Sequence, residues 1–153
     1  DFYDHIQALS KYLKDKNGCF KGLLGYGLAL EQGGEKGYHA HLMLIYNGSE
    51  RCRDGYLGDQ VTNKWHKITH GWGYGVNGNR KANKDKYALK GLLGIGMIHR
   101  KYPEETQNAL NVARYLTSPQ KYLQLMLVKP IRKRTFFKGV YRAHGRSYQF
   151  MSG

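Results

Sequence analysis

The run Tyr38-His39-Ala40-His41-Leu42-Met43-Leu44-Ile45-Tyr46 is apolar apart from two histidines set two residues apart. In a β-strand, successive side chains point to opposite faces. His39 and His41 therefore share one face, while Ala40, Leu42 and Leu44 turn to the core. Two imidazoles side by side on an otherwise apolar strand suit a divalent metal. The alternative is a half-buried strand whose histidines are solvated or hydrogen-bonded, the commoner fate of an isolated His-x-His.

Working outward, Phe20 to Glu31 reads as a glycine-containing apolar strand, and Gln32-Gly33-Gly34-Glu35-Lys36-Gly37 as a turn. Two strands joined by a short glycine-rich turn predict an antiparallel hairpin. Upstream, Phe2, Ile6, Leu9 and Leu13 recur at helical spacing, predicting a helix over residues 2–15 that stops at Asn17-Gly18. Downstream, residues 48–59 read as a polar loop, and Val61, Trp65 and Ile68 predict a helix over 59–70. Gly71 to Asn79 is too rich in glycine and aromatics for a helix. Residues 80–90 read as an exposed basic loop and Leu92 to Ile98 as a strand. Pro103-Glu104-Glu105 is a helix start, with proline in the first turn and carboxylates at the positive end of the dipole. That helix is expected to reach Thr117. Ser118-Pro119 would open another short one, and a last strand is expected near Thr135–Tyr141. The order predicts an α+β fold with an antiparallel sheet.

Composition narrows the function. The 153 residues suggest one domain, residues 1–153, with a real core. The chain starts at Asp1 rather than Met, as expected of a domain excised from a longer chain. No apolar run is long enough to span a bilayer, no signal-peptide pattern opens the chain, and no membrane partner is expected. Cys19 and Cys52 form no Cys-x-x-Cys pair, which argues against a zinc ribbon or a cytidine-deaminase site. Lys and Arg number 25 against 11 Asp and Glu, a formal charge of +14 that attracts polyanions. Thirteen tyrosines accompany that charge and offer stacking surfaces for unpaired bases.

A catalytic metal needs a third protein ligand and open positions. Glu31 ends the first strand of the hairpin. If the turn sets it opposite His39, its carboxylate joins both imidazoles on one face; a one-residue slip would turn it away. Glu35, in the turn itself, is the rival. Such a set binds Mg²⁺, Mn²⁺ or Zn²⁺ and leaves room for phosphate oxygens. Tyr115, beside Arg114 near the end of the 104–117 helix, is a candidate nucleophile among many tyrosines. The glycine-aromatic segment around Trp72 and Tyr74 is suited to stack bases. Arg80, Lys81, Lys84 and Lys86 are suited to track a phosphate backbone. His66 and His70 lie four apart but lack the glutamate of a His-Glu-x-x-His motif, which favours a structural or DNA-facing role.

Four segments together are similar to a known family. They are Glu31 with Gly37-Tyr38-His39-Ala40-His41-Leu42 running into Tyr46-Asn47-Gly48; Trp65 with Thr69-His70-Gly71-Trp72-Gly73-Tyr74, Asn77 and Asn79; Val112-Ala113-Arg114-Tyr115-Leu116-Thr117; and Arg134-Thr135-Phe136-Phe137-Lys138-Gly139. They resemble the HUH endonucleases, and more narrowly the inovirus-type rolling-circle replication initiators and their prophage-encoded relatives. The resemblance implies a central antiparallel β-sheet flanked by helices, with Mg²⁺ or Mn²⁺ held on one face by His39, His41 and Glu31. It implies that Tyr115 nicks single-stranded or hairpin origin DNA through a 5′-phosphotyrosine link. Arg114 and Lys121 join the expected DNA contacts. The family usually carries a lysine three residues after this tyrosine. That position is Ser118 here, and Lys121 is the nearby substitute. A second tyrosine one turn earlier, found in some related initiators, is Asn111, which favours a one-tyrosine mechanism. Host helicase and polymerase would be partners, in the cytoplasm of a bacterial host. A relaxase or transposase of the same chemistry, or a non-catalytic single-stranded nucleic-acid-binding module, are the rival readings.

Overall fold

The computed structural model describes residues 1–33, 37–117 and 134–141. The first helix, α1 (Phe2–Asp15), is capped by Asp1, whose carboxylate accepts a hydrogen bond from the Asp4 N–H at 3.0 Å. Its stop differs slightly from expectation. Lys16 itself takes the left-handed conformation at φ +51°, ahead of Gly18. A 3₁₀ turn at Gly18–Phe20 follows, so the first strand, β1 (Leu23–Gly33), starts three residues later than its apolar run suggested. The second strand, β2 (Gly37–Tyr46), pairs antiparallel with β1 as expected.

The last described strand, β3 (Phe136–Val140), pairs antiparallel with the other edge of β1. The sheet order is β2-β1-β3, with β1 in the centre. One sheet face carries Tyr26, Leu28, Leu30, Ala40, Leu42, Leu44 and Phe137, and packs on Tyr3, Ile6, Leu9 and Leu13 of α1. The opposite face carries the two histidines. The helix α4 (Pro103–Thr117) lies over that second face, where Leu116 and Phe136 cover Gly27. Among the described residues the fold is thus α+β, with a three-stranded antiparallel sheet between helices.

Three expectations fail, for related reasons. The helix α2 begins at Asp54, five residues earlier than expected, and ends at Ile68 (Asp54–Ile68). Gly55 and Gly58 disguise its first turns, because glycine disfavours an isolated helix by about 1 kcal/mol relative to alanine. Residues 80–90 are not a loop: Lys81–Leu89 form a helix, α3. It buries no residue, so it shows no apolar stripe to read. Leu92–Ile98 form no strand. Gly91 and Gly96 take φ +66° and +89°, which breaks the extended alternation. Gly94 instead presses against the Asn108 backbone and Val112, tying this segment to α4.

Polar contacts hold the region between α2 and α3. Asn77 is buried; its amide donates to Gly55 O at 2.8 Å and Asp59 Oδ1 at 2.9 Å, and its oxygen accepts from the Asn79 N–H at 2.9 Å. A Cβ on Gly58 would collide with the Asn77 amide, so the glycine that weakens α2 also admits this contact. Lys84 and Asn79 both donate to Asp54 Oδ2, at 2.7 and 3.0 Å. Asn77→Ala removes the hydrogen bonds made by a buried side chain and should cost about 1–3 kcal/mol. Thermal melts should then show a Tm lowered by roughly 2–12 °C, with Gly58→Ala moving the same way. An unchanged Tm in both would refute the role of this network.

The same carboxylates set an acid limit. Partial burial pushes the Asp54 carboxyl up, but the Lys84 and Asn79 hydrogen bonds outweigh it and hold the group below its ordinary value. The Asn77 amide, helped by Arg80, holds Asp59 low against a smaller opposing desolvation. A depressed folded value means the stabilisation is present above the ordinary carboxylate value of 3.8 and is lost as pH falls through the depressed folded values. Tryptophan emission, followed on acidification, should therefore report release of the 71–79 segment below about pH 4. Asp54→Asn should flatten that acid limb; a wild-type limb in the variant would contradict the assignment.

Candidate metal centre

The hairpin register brings the site together. Glu31 pairs directly with His39, and Ala29 with His41. All three polar side chains therefore stand on the sheet face away from α1. Glu31 is only 5% exposed, whereas the histidines are half-buried. The His39 and His41 Nε2 atoms lie 3.0 and 3.1 Å from the same oxygen, Glu31 Oε2. The ligand atoms of the three residues all fall within 4.8 Å of one another.

A buried carboxylate needs a compensating positive charge. His39 Nδ1 lies 3.2 Å from Gly37 O. A neutral imidazole donating there turns its Nε2 lone pair towards Glu31 Oε2, and two lone pairs at that distance repel unless a cation lies between them. Two ligands at right angles on a hard cation, with bonds of about 2.1 Å, lie roughly 3.0 Å apart. The donor set of two nitrogens and one carboxylate oxygen could hold a divalent metal ion. Gly37 sits at φ +62°, so glycine is the residue that places this carbonyl beneath the His39 ring at low strain.

Burial sorts the tyrosines. Burial raises the pKa of Tyr3, Tyr26, Tyr46 and Tyr141, which all pack into the core cluster or against it, so their hydroxyls are poorly placed to ionise. Tyr46 also donates its hydroxyl to Cys19 O at 2.7 Å. Tyr115 is 61% exposed near the end of α4, directly before the Leu116 that touches Gly27 on the histidine face. Gly27 lies four residues from Glu31 along β1, roughly 13 Å at strand rise. Arg114, its neighbour, is exposed.

The other expected contacts divide. Trp72 and Tyr74 are exposed. Lys84 is half-buried against Asp54, Arg80 pairs with Asp59 at 3.0 Å, and Lys81 pairs with Asp85 at 2.6 Å. Lys86 is exposed on α3. Lys121 and Ser118 lie outside the described residues, as does the expected Ser118-Pro119 helix. His66 and His70 do not share a helical face. His70 lies beyond α2 at φ +53°, and His66 Nδ1 lies 3.4 Å from Gly73 O. Residue reading passed over Asp54 and Asp59, because their role appears only once Asn77 and Lys84 fold back onto α2.

Comparison with protein-family models, with curated proteins and with solved structures finds no match for this chain. Among the described residues, no helix is long and apolar enough to cross a membrane. Titration calorimetry with MnCl₂ should find one ion per chain. Glu31→Gln or His41→Ala should weaken that binding by more than the roughly 10–100-fold that loss of an outer-shell partner costs. Equal affinity in the variants would move the ion elsewhere.

Proposed function

We propose that this chain is a metal-dependent tyrosine nickase of single-stranded DNA, of the HUH type that starts rolling-circle replication. The observation that carries the reading is the convergence of Glu31, His39 and His41 on one point of the sheet face over which α4 packs. Glu31, His39 and His41 would hold Mg²⁺ or Mn²⁺. When bound, that ion supplies Lewis-acid polarisation of a phosphodiester oxygen and offsets charge developing on it.

The chain's own residues carry the transfer. Tyr115 Oη attacks phosphorus as its proton passes to water. The Tyr–O–P bond forms, the P–O3′ bond breaks, and the departing 3′-oxygen takes up a proton. The product is a 5′-phosphotyrosine and a free 3′-OH. The phosphodiester is exchanged rather than hydrolysed, so a later 3′-OH can reverse the step and close a circle. Strand separation would fall to a host helicase and extension to a host polymerase in the bacterial cytoplasm.

Labelled single strands covering both strands of the replicon that encodes the chain, incubated with Mn²⁺ or EDTA, test this on denaturing gels. The expected product is a metal-dependent adduct carrying the 3′-side fragment and absent in Tyr115→Phe. An adduct persisting in Tyr115→Phe would overturn the nucleophile and turn attention to Tyr122. Binding without cleavage on any strand would overturn the nickase in favour of a binding module.

A further inference from the structure

The segment between α2 and α3 has two unlike sides. From Trp72 to Asn77, burial alternates with a period of two, the signature of extended chain. The inner positions press on α2. A Cβ on Gly73 would lie 2.6 Å from Thr69 and Trp65 side-chain atoms, and one on Gly75 would lie 3.0 Å from Thr62. Asn77 is buried and bonded to Gly55 and Asp59. Contact thus moves stepwise from the end of α2 towards its start. The Gly73 N–H donates to Thr69 Oγ1 at 2.8 Å and pins the near end. Glycine at 73 and 75 is what lets the backbone lie this close.

The outer positions carry Trp72, Tyr74 and Val76, exposed at 92%, 87% and 73%. Three consecutive outward positions of large apolar groups, on a backbone clamped at both ends, are a built surface. Scattered exposed residues would need no such clamp. Lys67 stands exposed at one end, and Arg80 and Lys81, paired with Asp59 and Asp85, stand at the other, on a chain of formal charge +14. That combination disfavours an apolar protein partner and suits a polyanion with flat apolar faces.

We propose that Trp72 and Tyr74 form a stacking ladder for successive bases of single-stranded DNA. Alternate side chains on an extended strand stand about 6.7 Å apart, close to twice the 3.4 Å rise between bases. One unpaired base fills that interval, and its neighbours stack on the outer ring faces. Val76 ends the ladder, having no ring. Duplex DNA, whose bases are already stacked on each other, gains nothing here. The ladder deepens the nickase reading by naming how the strand is held, but it reads sequence-tolerant binding and needs no cleavage.

The test is equilibrium binding in EDTA, by anisotropy of a fluorescein-labelled dT₁₂ strand, against duplex and single-stranded RNA of equal length. Trp72→Ala and Tyr74→Ala should each weaken single-strand binding roughly 10-fold. Trp72→Phe should restore most of it, and the salt dependence should stay put because phosphate contacts remain. Trp72 emission, isolated in a Trp65→Phe background, should be quenched by the strand. The Trp72 side chain is almost wholly in solvent, so Trp72→Ala should keep the wild-type Tm. Wild-type affinity in both alanine variants would overturn the ladder, as would equal affinity for duplex. Tighter binding of RNA would overturn DNA as the occupant. Unchanged binding in Trp72→Ala alongside intact cleavage sinks the ladder alone; weakened binding with no cleavage on any strand sinks the nickase alone.

Discussion

The antiparallel register of one hairpin governs this molecule. Because Glu31 stands directly opposite His39, a carboxylate and two imidazoles meet on a single face, while Leu28, Leu30, Ala40 and Leu42 meet on the other. A slip of one residue would put the carboxylate into the apolar core and the leucines of one strand in water. The core therefore enforces the site: burying Leu28 and Leu30 against α1 leaves Glu31 one possible direction. The buried carboxylate in turn faces two ring nitrogens at 3.0 and 3.1 Å, an arrangement that a shared cation would compensate.

That hairpin was legible from residues alone. His39 and His41 alternate with small and aliphatic residues at period two, but the register that sets Glu31 rather than Glu35 beside them comes only with the fold. Helices α1 and α4 were legible too, the first from the Phe2, Ile6, Leu9 and Leu13 stripe and the second from Pro103 and its acidic first turn. The middle of the chain was not. Gly55 and Gly58 argue locally against a helix, and only the arrival of Asn77 from a later segment explains why glycine is required there. Helix α3 has no apolar face, because Lys84 and Asn83 attach it by polar contacts to Asp54 and the Asn77 carbonyl. Its lysines therefore read as solvated charge, although one of them is a strut. Periodicity registers burial in an apolar core, and it is silent about elements docked by hydrogen bonds.

The two faces of the sheet divide the work. The α1 face supplies the core, with Phe20, Leu13, Leu23 and Leu28 fully enclosed. The histidine face is covered in part by α4 and by Phe136 of β3, and leaves its two histidines half-buried above the enclosed Glu31. On α2, glycines at alternate positions bury a backbone and present two rings to solvent. Rigid support beneath exposed chemistry recurs at both places: a core-enforced strand under the ligands, and a clamped strap under the aromatics.

The claim on which the rest stands is that Glu31, His39 and His41 hold one divalent cation. Crystals of the wild-type protein grown with MnCl₂ and measured at the manganese absorption edge would test it most directly. The account predicts a single strong anomalous peak bonded to Glu31 Oε2 and to the Nε2 atoms of His39 and His41. A crystal at millimolar Mn²⁺ with no peak there, and the carboxylate still bridging the two imidazoles, would contradict it.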